Sequence, residues 1–397
     1  MEKQKKNKSA LLIMFSMGCA FASYNIGSGF ASGQVPLQYF CSGGGIWAII
    51  SSWILVIMLG LFTYWALHTG SVEKFDDPNK AFIFYTENKF AARVVDIWTL
   101  CVLGIMACMM TSGAGATIAQ YTGIPSYVGS IILGVLACIV VCLGLEGVKK
   151  VMSTLGAFLS LFMVVLAIVS FSNPDNSLWE GAQKIPELVS AGKVAEPTLF
   201  GFKSKLLTPL YYIGCCIIIS VPFLVALGKN NVRSKKEAMG GGAFAALLFG
   251  GATVIISYTL LLNIDYIVEK GMQIPVLTAI QKNLPLLSLP FTIVILAAIF
   301  STVTGFLWLI GRRFAEDKTW KQRIIVICAC IFCTVSGSFI PFSKFVSFVY
   351  PISGIGGLLI FVYMAIHRIR YRKVLNNYIP TDDTGMIKKD ELKAAEN

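Results

Sequence analysis

Tyr24-Asn25-Ile26-Gly27-Ser28-Gly29-Phe30-Ala31-Ser32-Gly33-Gln34 lies midway along an otherwise apolar run, residues 9–39. Three glycines and five polar side chains in eleven residues cannot form the centre of a lipid-facing helix. At membrane depth, non-helical backbone survives only where protein or a water-filled cavity satisfies its N–H and C=O groups. Small residues also serve tight helix packing, but Asn25, Ser32 and Gln34 add polar groups that packing does not call for. The stretch therefore reads as a transmembrane helix broken at its middle.

The rest of the chain is of the same kind. Its 397 residues are 56% hydrophobic and only 14% charged, where a soluble domain carries about 25% charge, and the mean hydropathy is +0.72. A water-soluble globule is excluded. A bilayer core of about 30 Å takes about 20 apolar residues per helix. That window finds ten segments, at 9–39, 44–68, 93–120, 125–146, 150–172, 205–228, 236–263, 286–311, 322–340 and 345–367. The basic N-terminus is like the start of a secretory signal, but no small-residue cleavage site precedes Ser23, so it reads as a retained first span.

Of 33 Lys and Arg, 26 fall on one side of the alternating spans and 7 on the other, which puts both termini in the cytoplasm of a multi-pass plasma-membrane protein. The net charge of +12 is thus a matter of topology, and no nucleic-acid partner is implied. Residues 1–8 form an inner tail, 9–172 a first five-span unit and 205–371 a second of nearly equal length. Between them 173–204 is an outer loop, whose Trp179, Ile185 and Leu188, interleaved with charges, suggest an amphipathic helix along the interface. The 69–92 loop reads similarly on the inner side. The polar, mixed-charge segment 372–397 is expected to be largely disordered. Five spans per unit is odd, so the two units must be inverted relative to each other. Two prolines and a glycine bracket the sixth span in Thr208-Pro209-Leu210-Tyr211-Tyr212-Ile213-Gly214-Cys215-Cys216 and Ser220-Val221-Pro222, and it is expected to be interrupted like the first. An ordinary proline kink is the alternative. Matching breaks in an inverted repeat place a binding site near the midplane, and half-helix N-termini suit a carboxylate.

The run Ile26 to Gln34 resembles the G-x-G-F-A-S-G-Q-E signature of the YkvI-like membrane proteins, regarded as amino-acid permeases of the amino acid–polyamine–organocation superfamily. The resemblance covers about residues 9–371. It implies an all-α integral membrane protein of ten helices, a LeuT-type 5+5 inverted repeat with helices 1 and 6 interrupted. Val35 stands where the signature has Glu, so no proton or ammonium role of that Glu carries over. Some proton-coupled members hold a lysine in the fifth span, but none occurs from Val151 to Phe171. Lys149 and Lys150 lie too near the cytoplasm and read as snorkelling anchors. In LeuT-type sodium symporters one cation is held by two carbonyls of the broken first helix and by an Ala carbonyl and two hydroxyls of span eight. Ala298-Ile299-Phe300-Ser301-Thr302 matches that spacing, positions that share one helix face. Registering the Gly27-Ser28-Gly29 break on those relatives would supply the carbonyls of Ser23 and Ile26.

No other chemistry competes. Asp96, Glu146, Asp265 and Lys344 sit near span ends, so a midplane carboxylate relay is not expected. Most of the eleven cysteines lie in apolar runs and behave as small hydrophobes, and with only His68 and His367 a metal site of the zinc or iron type is not expected. Zincin, nucleophile-elbow and phosphate-loop motifs are absent, so no catalytic residue is assigned and an enzyme is not expected. The reading is a secondary transporter of a small zwitterion, a neutral amino acid, working by alternating access with Na⁺ as coupling ion and no cofactor. Its substrate-binding candidates are Asn25, Gly27, Ser28, Gly29, Gln34, Thr111, Tyr211, Tyr212, Gly214 and Cys215. Proton-coupled or uncoupled exchange and a channel remain as alternatives, and the oligomeric state stays open.

Overall fold

The computed structural model describes residues 9–143, 173–198, 204–271, 273–316, 318–372 and 378–391. Apart from one isolated bridge, every regular element among them is helical. The first span is three pieces. Helix α1 (Ala10–Asn25) is capped by Ser9, whose hydroxyl accepts from the Leu12 amide, and ends at extended Ile26 and Gly27. A short α2 (Ser28–Ala31) follows, then a π-helical turn, Pro36–Cys41. Between them Gly33 has φ +86°, and a Cβ there would stand 2.6 Å from Val276 Cγ2, so the position accepts glycine alone.

Helices α3 (Gly45–Glu73), α4 (Lys80–Thr86), α5 (Lys89–Thr122) and α6 (Ser126–Cys142) complete the described first half. The expected fifth span, 150–172, lies outside the described residues. Next comes α7 (Leu178–Ser190), then α8 (Leu207–Asn231) as span six. Span seven is α9 (Lys235–Ala245) running through a π turn into α10 (Gly251–Leu262). A hairpin of α11 (Ile264–Lys270) and α12 (Pro275–Asn283) leads to α13 (Ser288–Phe314), α14 (Trp320–Phe339) and α15 (Phe342–Arg370), spans eight to ten. Seven of these spans are long and apolar enough to cross a bilayer, and α1 and α6 are shorter apolar helices. Outward-facing Ile57, Leu136, Phe332 and Phe339 are exposed, as a lipid-facing surface requires.

Packing divides the spans into two groups. Helix α1, α3, α8 and span seven pack on one another, as do α5, α6, α13 and α14, while α15 lies chiefly on α8 and also meets α5. The contact of α8 with α15 is backbone on backbone: a Cβ on Gly214 would overlap the Gly354 carbonyl, and one on Gly357 the Gly214 carbonyl.

Two expectations are corrected, on span six and on the tail. Span six is one continuous helix with Pro222 inside it, not an interrupted one. Pro209 falls in its first turn, where the missing N–H is no loss, and near Pro222 the Tyr24 hydroxyl donates to the Ile219 carbonyl (3.1 Å). The two amphipathic segments are helical and bury apolar side chains on protein. Helix α7, opened by a capping box of Ser177 and Glu180, buries Ala182 and Ile185 fully against α3 and α10, leaving Trp179 half exposed. Helix α4 in the 69–92 loop buries Ala81, Phe82, Phe84 and Tyr85. The C-terminal tail is folded over residues 378–391, with Ile379 only 1% exposed. Local bonds explain this: Asp382 Oδ1 accepts from the Thr384 and Met386 amides and the Thr384 hydroxyl, closing a turn that composition does not reveal.

Candidate functional site

The first-span break leaves carbonyls unspent. Ile26 turns out of the helix at ψ 95°, and among the described residues no amide donates to the carbonyls of Ser23 or Ile26. The N–H groups are spent unevenly. Ser28 donates both its amide (3.2 Å) and its hydroxyl (2.9 Å) to the Met110 sulfur, while Ala31 N–H bonds the Gly27 carbonyl. Among the described residues the Gly29 and Phe30 amides have no such acceptor.

Beside the break lies a cavity of about 10 Å³, space for a single water. It is lined by Tyr24, Asn25 and Gly27 of span one, Met106 and Met110 of α5, Tyr212, Cys215, Cys216 and Ile219 of α8, Thr302 and Phe306 of α13, and Tyr350 of α15. No charged side chain reaches it. Asn25 Nδ2 donates to the Phe21 carbonyl (3.0 Å) and to Ser220 Oγ (3.1 Å), bridging spans one and six. Tyr212 and Tyr350 pack edge to face at 5.1 Å, with Tyr39 5.4 Å from Tyr350. Met110 fills the centre: a Cβ on Gly27 would stand 2.6 Å from its Cε.

Of the expected substrate residues, Asn25, Gly27, Tyr212 and Cys215 meet at this cavity. Ser28, Gly29, Gln34, Thr111, Tyr211 and Gly214 do not line it. Gly29 faces Tyr350, whose hydroxyl would lie 2.6 Å from a Cβ there. Thr111 Oγ1 donates to the Cys333 carbonyl (2.9 Å), an interhelical bond to α14. Gly214 serves the α8–α15 contact. Met106, Cys216, Phe306 and Tyr350 are contributors beyond that set. Tyr350 had a signal in the sequence, since Tyr350-Pro351-Ile352-Ser353-Gly354-Ile355-Gly356-Gly357 is a glycine-rich polar run inside a span, like the first.

The proposed sodium ligands lie on two elements, Ser23 and Ile26 on span one and Ala298, Ser301 and Thr302 on α13. Ala298, Ser301 and Thr302 are buried on α13, and both hydroxyls donate back to the Ala298 carbonyl, at 2.9 and 3.0 Å. Thr302 also borders the cavity, where its Cγ2 would lie 3.9 Å from a Cβ on Gly27. This face of α13 therefore adjoins the turn whose carbonyls are open. Five neutral oxygens suit a hard monovalent cation, and no group of three or more His, Cys, Asp or Glu among the described residues could hold a metal ion.

A run of amides clasps the α11–α12 hairpin. Gln34 Nε2 donates to the Gln273 carbonyl (2.8 Å), Gln38 Nε2 to Gln34 Oε1 (2.7 Å), and the Ser343 amide to Gln273 Oε1 (3.0 Å). Gln120 pairs with the Ile274 backbone through both its amide atoms, and Val276 N–H bonds the Ser32 carbonyl (2.9 Å). Gln34 thus holds the hairpin. Burial alone would raise the Asp265 carboxyl on α11, but bonds from Lys184 and Asn176 keep it below the usual range. At the opposite end of the bundle Arg313 pairs with Asp96, and Lys229 Nζ bonds the Phe75 carbonyl (2.8 Å).

No family model matches the chain. The curated protein YkvI of Bacillus subtilis (strain 168), an uncharacterized membrane protein, is 23% identical over 357 residues, which cover 89% of this chain and 94% of YkvI. Among solved structures, MhsT in complex with L-phenylalanine aligns with a TM-score of 0.55 at 16% identity, covering 89% of this chain and 88% of MhsT. This chain has the LeuT-type fold. A Na⁺-coupled sialic acid symporter in its substrate-bound outward-open state gives a TM-score of 0.56 at 14% identity, over 89% and 78%. At such identities the fold is what is shared.

Proposed function

We propose that the protein is a secondary active transporter of a small neutral amino acid, coupled to Na⁺, in the plasma membrane with both termini in the cytoplasm. The observation that carries this reading is the first-span break. It leaves the Ser23 and Ile26 carbonyls and the Gly29 and Phe30 amides without backbone partners among the described residues, and its Gly27 lines, together with Thr302, a cavity with no charged lining. A zwitterion has a carboxylate for the amides, and a lining of Met, Cys, Tyr and Phe takes an apolar side chain and leaves an arginine or glutamate unpaired. That MhsT holds L-phenylalanine on the same fold, and that another protein of this fold is Na⁺-coupled, supports the reading.

To take a substrate the small cavity must widen. Met106 and Met110 are unbranched side chains that can withdraw, and release of the Met110 sulfur from Ser28 frees the Ser28 amide for the incoming carboxylate. Substrate then exchanges intramolecular contacts for its own. The test is a thermal-shift screen of the purified protein against neutral, acidic and basic L-amino acids with Na⁺ or choline, followed by counterflow in proteoliposomes. Stabilisation by a neutral amino acid that grows with Na⁺ is the expected result. Stabilisation independent of Na⁺ would favour exchange without sodium, and single-channel current would remove the transporter altogether.

A further inference from the structure

The folded part of the C-terminal tail is docked on the inner end of the bundle. Residues 378–391 form a knuckle: Thr381 bridges Ile387, Asp382 N–H bonds the Met386 carbonyl (2.8 Å) and Lys388 N–H the Pro380 carbonyl (2.9 Å). The Thr384 hydroxyl and the Thr384 and Met386 amides hold the Asp382 carboxylate below its usual range, so the turn is set in its ionised form. Two apolar side chains, Ile379 and Ile387, are buried at 1% and 8% exposure.

Its anchor is a buried carboxylate. Glu73, the last residue of α3, is 8% exposed, and its Oε1 accepts from the Ile379 amide (3.0 Å), while Oε2 is buried with no partner among the described residues. A buried carboxylate is costly unless bonded, so this bond ties the fold of the inner end to the tail. At the knuckle's tip Gly385, at φ +88°, lies against the first residue of α4, where an added Cβ would stand 3.1 Å from Lys80 Cβ. Thr384 closes one wall of a cavity of about 460 Å³ whose other walls include Lys89, Asp96 and Arg313. The knuckle therefore touches α3 of one packing group and α4, and faces the start of α5 in the other group across that cavity. The 74–88 connection is the chain's covalent link between those groups at this end. It is itself wedged against α15, with Phe84 and His367 rings 4.4 Å apart, and bonded to α8 through Lys229 and Phe75.

We infer that residues 378–391 are a built-in brake on opening of the inner exit: docked on Glu73 and Lys80, they hold the two packing groups together at the 74–88 connection, and undocking frees them to part. This rests on the transport reading for its purpose but not for its test. Cys216 borders the central cavity at 3% exposure, while Cys101 and Cys328 are exposed on the surface and serve as internal controls. In the purified full chain, alkylation of each cysteine by N-ethylmaleimide is followed by peptide mass spectrometry. The Ile379→Asp, Ile387→Asp double variant should speed modification of Cys216 by about fivefold or more, the lower range of an ordinary coupling between sites, with Cys101 and Cys328 unchanged. Conversely, a Lys80→Cys, Gly385→Cys pair, whose Cβ atoms are within reach of a disulfide, should slow Cys216 when oxidised and release it on reduction. Equal Cys216 rates in the locked and reduced forms would overturn the brake. The readout requires no substrate, so it separates from the transport reading: amino-acid uptake with a lock-indifferent Cys216 rejects the brake alone, and a lock-sensitive Cys216 in a protein that moves no amino acid rejects the transport reading alone.

Discussion

Spans one and six carry alike signals, glycine and proline among polar residues at the middle of an apolar run, and the structure treats them in opposite ways. In span one the backbone extends at Ile26 and Gly27, where the bare glycine makes room for Met110, and the break lies beside a cavity, a methionine sulfur and Thr302 of α13. In span six Gly214 lets another backbone approach, and the helix runs on unbroken through Pro222. What decides between the two is the neighbour. Span one is faced by oxygen and sulfur that can share its open groups, span six by the equally bare backbone of Gly354 and Gly357. A glycine in a membrane helix is thus a break where polar partners await it and a packing contact where another glycine does.

The sharpest test of this difference is to add one methyl group to each. Gly357→Ala places a Cβ on the Gly214 carbonyl, where no side chain can yield, so α8 and α15 must part. Overpacking of this kind costs about 1–3 kcal/mol or more, and the variant should lose its monodisperse peak in size-exclusion chromatography or most of its Tm. Gly27→Ala meets only the flexible end of Met110. It should fold with a Tm near that of the parent while losing ligand-induced stabilisation, because the methyl group and Met110 then contend for the same space. Equal stability of the two variants would erase the distinction between break and contact.

A second test asks whether the open carbonyls of span one serve an ion. The hydroxyls of Ser301 and Thr302 spend their protons on their own helix, bonds whose loss changes stability little. The Ser301→Ala, Thr302→Ala double variant should therefore keep its Tm without sodium yet lose Na⁺ stimulation of uptake at fixed pH, by about tenfold if removal of two ligands weakens the ion by about 1.4 kcal/mol. Wild-type uptake indifferent to Na⁺ would leave the span-one carbonyls without this purpose.

Smaller again is the effect expected at the amide clasp. Gln34→Leu removes the bond to the Gln273 carbonyl and leaves Gln38 without its neighbour. At about 1 kcal/mol per hydrogen bond, the hairpin should loosen enough to speed amide exchange over residues 264–283 while the bundle stays folded. Unchanged exchange there would make Gln34 free for the substrate.

The apolar spans among the described residues, the first-span break and part of the cavity wall were legible because each depends on local composition: apolar length, glycine density, and a polar group where none belongs. Span six was not, since Pro209 and Pro222 read alike whether a helix ends or bends, and only the Gly354–Gly357 backbone facing Gly214 resolves it. The role of Gln34 escaped for a similar reason. It lies next to the signature glycines in sequence, but the partner that gives it its role, the Gln273 carbonyl, lies 239 positions away on a segment that nothing in the sequence draws to it. The tail looked disordered by charge content, yet two isoleucines and one aspartate turn fold it against Glu73, a contact across 306 positions.

The smallest effect is expected where spans one and six touch. Tyr24 stacks on Phe223 with ring centres 4.3 Å apart, and its hydroxyl donates to the Ile219 carbonyl (3.1 Å). Pro222 has no N–H, so the Ile218 carbonyl one turn earlier loses its helical partner and that turn is loosened. A loosened turn tips carbonyls outward, which makes Ile219 available to Tyr24. Tyr24→Phe keeps the ring stack and removes one hydrogen bond, worth about 1 kcal/mol and a fall in Tm of about 2 °C for a chain of this size. Pro222→Ala restores the missing amide and draws the carbonyls back into the helix, so in that background the same Tyr24→Phe change should fall below measurement. A double-mutant cycle then gives a positive coupling between residues 24 and 222, which touch only through the Ile219 carbonyl. Strict additivity would mean that span six is held straight by its own packing on α15 and owes nothing to the broken helix beside it.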